Sequence, residues 1–401
     1  MKKGVLVILT GIIMTLIMPF SAFAETASTT DVVESVRQVQ QYNFSINILA
    51  MLLVGFGFLM VFVKKYGYSA TTGTYMVVGV GIPLYLLLRY TGVLSSEAVN
   101  PQTIKALLFA EFAVAAALIA MGAVLGRLKV YQYALISVFI VPLYMLNEWL
   151  VLDGGLGATK GFVDSAGSIV IHAFGAYFGL GLAVVLTKQK HMDQTIESDS
   201  SSDRFSMLGS MVLWIFWPSF CSAIVPAEDL EKTAVNTILA LCGATIITYL
   251  FSTLFRKGKP SIADIANASL AGGVAIGATC NLVSAQVAFL IGVLAGGICV
   301  IGYSVIQPRL QKLLKMVDTC GVHNLHGMPG LLGGIIAIFV VPGAAKPQII
   351  GILFTVALAF VGGIIAGNII RLTGSKEKVY EDSDEFSEVT AEELTAEFID
   401  A

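Results

Sequence analysis

The sequence predicts an all-α polytopic membrane protein of about eleven transmembrane helices, built as a 5+5 inverted repeat around a central pore. Three observations predict it. The 401 residues are 56% hydrophobic and only 13% charged, where a soluble domain carries roughly 25% charged residues; the mean hydropathy is +0.82. Apolar runs of about 20 residues, enough to span a bilayer as a helix, recur along the chain. An aspartate and a histidine also stand eight residues apart in two matched places, VDSAGSIVIH (Asp164, His172) and VDTCGVHNLH (Asp318, His326).

In chain order, Lys2 and Lys3 precede an apolar run to Phe20, and Ala22-Phe23-Ala24 reads as a cleavage site. Residues 1–24 are therefore expected to be a signal peptide, with an uncleaved first span as the alternative. Residues 25–41 follow as a polar external lead-in. The spans are expected near 43–63, 69–90, 103–126, 130–152, 165–187, 206–225, 233–255, 262–283, 285–306, 322–342 and 347–370, making residues 42–371 a transmembrane channel domain. Lysine and arginine concentrate in alternate loops, among them Lys64, Lys65, Arg127, Lys129, Lys188, Lys190 and Arg204. By the positive-inside rule the mature N-terminus lies outside a plasma or inner cell membrane and the C-terminus is cytoplasmic. Residues 372–401 form an acidic cytoplasmic tail. A solvated or disordered end is its plainer reading, and a short amphipathic helix from Ser387 to Phe398 its sharper one.

The two D-[ST]-x-G-x4-H copies fall on the fifth and tenth spans. An offset of five spans makes their helices enter from opposite faces. Eight residues at 1.5 Å rise set each histidine about 12 Å inside its helix, so both imidazoles approach the middle of a core roughly 30 Å thick. An ionisable group there is costly and marks a functional position. One such histidine alone reads as a satisfied core residue; two in the same frame read as a pore pair. Asp164 and Asp318 can each cap the free N–H groups of the helix they begin. Asp164 can also hold cations near the outer entrance by its charge, and Asp318 reads as a cap.

Other chemistry is thinly represented. His323 and His326 share a helical face, but a metal needs three or four ligands, and Glu111 and Glu148 are the main carboxylates deep in the spans. No metal or other cofactor is expected. His191 lies in a polar loop and reads as solvated. The five cysteines lack paired spacing and read as small buried residues. No basic patch suits nucleic acid, and no nucleophile–base pattern indicates an enzyme.

The stretches VGFGFLMVFVKKYGYS, FAEFAVAAALIAMGAVLGRL, VDSAGSIVIHAFGAYFGL, LWIFWPSFCSAI, ANASLAGGVAIG and DTCGVHNLHGMPGLLGGI together resemble the Rhesus (Rh) branch of the ammonium transporter/Rh superfamily, of the bacterial Rh-like type. The resemblance implies a homotrimer with one narrow hydrophobic pore per subunit, passing ammonia and, as a second gas, carbon dioxide. It implies that His172 and His326 are the twin pore histidines and that Asp164 is the outer-side aspartate. It also implies that Phe112 and Phe220 form the outer gate, although without it both read as packing aromatics. Where ammonium transporters proper carry a recruiting tryptophan this chain has Leu152, with Trp149 three residues earlier, which favours the Rh type. Two readings of other kinds stand beside the channel: a proton-coupled or electrogenic ammonium transporter, and a membrane structural or sensing component.

Overall fold

The computed structural model describes residues 29–92 and 100–387. The signal-peptide expectation lies outside the described residues. The chain divides into a unit ending at Tyr42 and a second running from Asn43. In the first, residues 29–42 are helical, and Arg37 bridges Glu34 one turn away at 2.6 Å.

The second unit is all helix and loop among the described residues. Among the described residues ten helices are long and apolar enough to cross a membrane: α1 (Val32–Phe62, which begins in the first unit), α2 (Gly67–Thr91), α3 (Ile104–Ala123), α4 (Val130–Val151), α5 (Ser168–Leu186), α6 (Ser200–Ser222), α7 (Ala227–Phe255), α9 (Ala285–Leu314), α10 (His323–Val340) and α11 (Ala345–Leu372). The expected eighth span at 262–283 is different. It is a short, broken helix, α8 (Ile262–Ile276), which turns at Ser269–Leu270 and ends in turns from Gly277. The break follows from what its end must do. The carbonyls of Gly277 and Ala278 leave the helix ladder and accept from Ala166 N (2.8 Å) and Ser165 N (3.3 Å), in the loop that opens α5.

The same bonds recur with the halves exchanged. Gly122 and Ala123, at the end of α3, accept from Cys320 N and Thr319 N (3.2 Å each), in the loop that opens α10. Each Asp-Ser/Thr loop therefore satisfies the orphan carbonyls of the other half's inner helix. This reciprocity relates α1–α5 to α6–α10, with α11 outside the repeat.

Residue size sorts inner helices from outer ones. In α3 the run Ala113–Ala117 is buried throughout, whereas α7 and α11 expose Leu254 and Leu353. Small side chains let helix backbones approach. At Gly175 and Gly179 of α5 a Cβ would stand 2.6 Å from Ala116 O and 2.8 Å from Ala123 Cβ of α3, closer than side chains tolerate.

Two expectations are corrected at the end of the bundle that carries Asp318. The described part of the acidic tail is docked, not solvated: Tyr380 and Asp382 are buried. Tyr380 N donates to Gly126 O (2.8 Å), and Asp382 caps α2 by accepting from Tyr68 N and Ser69 N (2.9 Å each). Lys376, paired with Asp384, lies 5.5 Å over the Tyr66 ring. The amphipathic-helix reading of Ser387–Phe398 falls outside the described residues beyond 387. His191 is also buried, at 3% exposure. A short helix, Gln189–Met192, folds its ring inward, where Nδ1 accepts from Lys188 N at 3.1 Å.

Candidate functional site: paired histidines in an aromatic column

Both histidine helices begin in the same way. A glycine in left-handed conformation (Gly167, φ +79°; Gly321, φ +67°) turns the chain into the helix, a geometry that L side chains adopt only under strain. The aspartate three residues earlier then takes the free N–H groups. Asp164 Oδ2 accepts from Ile169 N (2.9 Å) and Val170 N (2.8 Å). Asp318 accepts from Val322 N (3.0 Å) and His323 N (3.1 Å). The two carboxylates do equivalent work, and the geometry does not separate a recruiting aspartate from a capping one. Asp164 is buried at 7% exposure. Losing a cap of this kind costs about 0.5–2 kcal/mol. Asp164→Ala and Asp318→Ala are therefore each expected to lower thermal stability in detergent by similar amounts, as followed by unfolding with heat. A large loss for one and none for the other would break the equivalence.

Each histidine then lies in a wide-turn segment, Ser168–Ala173 or His323–Gly327, where the chain closes i→i−5 bonds such as His172 N to Gly167 O (3.0 Å). Such π-turns are rare in helices and recur at functional sites. The two rings meet: Nδ1 faces Nδ1 at 3.2 Å, with centroids 5.3 Å apart and planes at 10°. One Nδ1 must donate and the other accept. The rings consequently hold opposite tautomers, and their two Nε2 atoms present one acceptor and one donor.

The pair sits within a column of aromatic rings. On the Asp164 side, Phe112 meets Phe220 edge-on at 4.8 Å, and Phe220 lies 5.8 Å from His172. Trp217, one turn before Phe220, stacks on His172 at 5.6 Å and 20°. On the Asp318 side Phe56 stacks on His326 at 6.1 Å and 24°. All six rings are buried. Next to His326, Phe56, Leu118, Ile119, Val322 and Leu325 help enclose a cavity of about 20 Å³, room for about one water-sized molecule. Among the described residues, the column contains no carboxylate, lysine or arginine.

The structure thus brings together four of the six residues singled out from sequence, Phe112, Phe220, His172 and His326, and puts Asp164 and Asp318 at the helix entrances. Sequence reading missed Trp217 and Phe56. Trp217 stands three residues before Phe220, so the shared helical face was a usable signal; Phe56 had none of that kind. His323 and His326 part company: His323 meets Tyr177 edge-on at 5.7 Å. Leu152 is partly exposed, and Trp149 packs over Gly155.

Ten membrane-length helices, an inverted repeat and a buried, charge-free aromatic column define a polytopic membrane transport protein of the channel type. Residues 5–390 match the Ammonium Transporter Family, and the chain belongs to that family, in its Rh branch. It is 35% identical over 372 residues to Ammonium transporter Rh type C of Rattus norvegicus, covering 83% of this chain and 74% of that protein. It is 35% identical over 369 residues to Ammonium transporter Rh type B of Xenopus tropicalis, covering 83% and 79%. Among solved structures it resembles Nitrosomonas europaea Rh50, of the Rhesus protein family of channels, with TM-score 0.89 and 62% identity over 91% of this chain and 97% of that one. Mep2 of Saccharomyces cerevisiae, at 17% identity and TM-score 0.68 over 84% of each chain, shares the fold.

Proposed function

We propose that this chain is a passive ammonia channel that takes ammonium from water, returns its proton to the water on the side of entry and conducts neutral NH3 along the aromatic column. The observation that carries this reading is the pair of imidazoles 3.2 Å apart in a charge-free setting. An ammonium ion entering such a column loses its hydration without gaining a counter-charge, whereas ammonia, both donor and acceptor, crosses at far smaller cost. The Nε2 donor and acceptor of the pair match those two capacities.

Phe112 and Phe220 act as the outer gate in this reading, and His172 and His326 as the pore centre. Asp164 and Asp318 hold the two histidine helices in place. The working form is a homotrimer in the plasma or inner cell membrane, with residues 42–371 as the channel domain. The Asp164 side faces out and the tail lies in the cytoplasm, in line with the lysine and arginine distribution. Carbon dioxide, small and uncharged, is a second permeant suited to the same column.

The test is stopped-flow alkalinisation of proteoliposomes under an ammonium gradient, with simultaneous current recording. Alkalinisation faster than in empty liposomes, without current, is expected; equal rates in both would sink the channel reading. Current that scales with flux would instead favour the electrogenic transporter, which the Nδ1–Nδ1 contact makes a definite alternative, since a proton can pass along it. In the same assay Phe112→Ala is expected to raise methylamine passage relative to ammonia, because it removes the ring closing on Phe220. An unchanged ratio would take Phe112 out of the gate.

A further inference from the structure

A second cavity, of about 500 Å³, opens at the Asp318 end of the bundle, away from the column. The α3–α4 loop, the start of α4 and the ends of α5 and α11 form its walls, and Arg127, Lys188, His191, Arg371 and Lys376 supply its charged and titratable lining, with no carboxylate among the lining residues. Lys376 is already paired with Asp384 and Glu385. Arg127 is not so balanced. It is buried, and its Nη atoms bond only to neutral oxygens: Thr319 Oγ1 (2.7 Å), Ala123 O (2.8 Å), Val317 O (2.7 Å) and Tyr380 OH (3.4 Å). Its Nε–H has no partner.

His191 supplies the second unmet donor. Its Nδ1 accepts from Lys188 N, which fixes the proton on Nε2, and Nε2 is buried without a partner. Burial first, then the charges of Arg127, Lys190 and Lys188, press its pKa down to about 4. Among the described residues no carboxylate bonds to this buried guanidinium, Asp318 acts on it only through space, and two orphan donors remain, an arrangement that a bound anion would complete. The C-terminal carbonyls of α5 and α11 oppose an anion at this point; Lys188 and Arg371, on those same helix ends, offset them.

Volume and height narrow the anion. The cavity is of small-ligand size, larger than a halide requires. Leu186 and Leu372, the last residues of two membrane helices, form part of its wall, which puts it at the level where phospholipid phosphates lie. We infer that this pocket binds a phosphate-bearing anion, with Arg127 and His191 at its floor and Lys188 and Arg371 at its rim. A lipid headgroup and free phosphate share that chemistry.

The experiment compares the intact protein with K188Q/R371Q, and with K257Q/K259Q as a control on another loop. Native mass spectrometry would count dioleoyl-phosphatidylglycerol against dioleoyl-phosphatidylcholine bound to detergent-solubilised protein, and calorimetry would follow inorganic phosphate. The expected result is selective binding of phosphatidylglycerol that weakens about thirtyfold in K188Q/R371Q, at about fivefold per surface cation removed, and is unchanged in the control. Binding of inorganic phosphate with the same variant dependence, and no selectivity between the lipids, would support the pocket with a soluble ligand. No binding of either probe, or equal binding in the protein and K188Q/R371Q, would overturn the inference.

Discussion

His326→Ala is expected to slow ammonia-driven alkalinisation by about fivefold or more, without destroying the fold. The substitution removes the partner of His172 Nδ1, the ring on which Phe56 stacks, and the Nε2 group that meets the substrate in the proposed reading. A hydrogen bond offered to a molecule crossing a dry constriction is worth about 1–3 kcal/mol, which corresponds to roughly a fivefold to 150-fold change in rate. His172→Ala should act alike, and the double variant should lose little more than either single one, since the two rings work as one unit. The opposite outcome is informative. If His326→Ala admits water and carries current while flux is kept, the histidines keep ions out without helping ammonia through, and the donor–acceptor account fails.

That prediction rests on a feature legible in the sequence, and the reasons are local ones. The D-[ST]-x-G-x4-H frame encodes a left-handed glycine, a cap and a fixed distance into a helix, all set by neighbours within ten residues. Span counting then assigned the two copies to opposite faces, and the rings do meet. What escaped the sequence depends on partners far along the chain. The break in α8 exists because Ser165 and Ala166 need its carbonyls, more than a hundred residues away. Arg127 reads as an ordinary loop cation, yet it is buried because Thr319 and Val317 surround it. His191 looked solvated because its neighbours are polar, and Tyr380 looked like part of a free tail because acidic residues flank it. Local polarity describes what a segment tolerates, and tertiary contact decides what it does.

The largest expected loss of folded protein comes from the crossing of α5 and α11, where the two backbones touch. A Cβ at Gly363 would fall on Phe178 O and stand 3.1 Å from the Cα of Gly181; one at Gly181 would meet Ile364 N at 2.9 Å. The obstacles are backbone atoms, which no rotamer change can move, so the helices must separate. Even a methyl group should cost about 1–3 kcal/mol, and Gly363→Leu is expected to abolish recovery of monodisperse protein by size exclusion in detergent. Gly363→Ala is the graded test, because the strain has a direction: α5 also carries His172, and pushing α5 off α11 displaces that ring relative to His326. Its ammonia flux should therefore fall together with its thermal stability. Gly79→Ala on α2 makes the comparison, since a Cβ there has nothing within 4 Å and alanine is the better helix former. If the two alanine variants prove equally stable, the α11 crossing is not what holds α5 in place, and the position of His172 is set by the Asp164 cap and the α3 contact at Gly175 and Gly179.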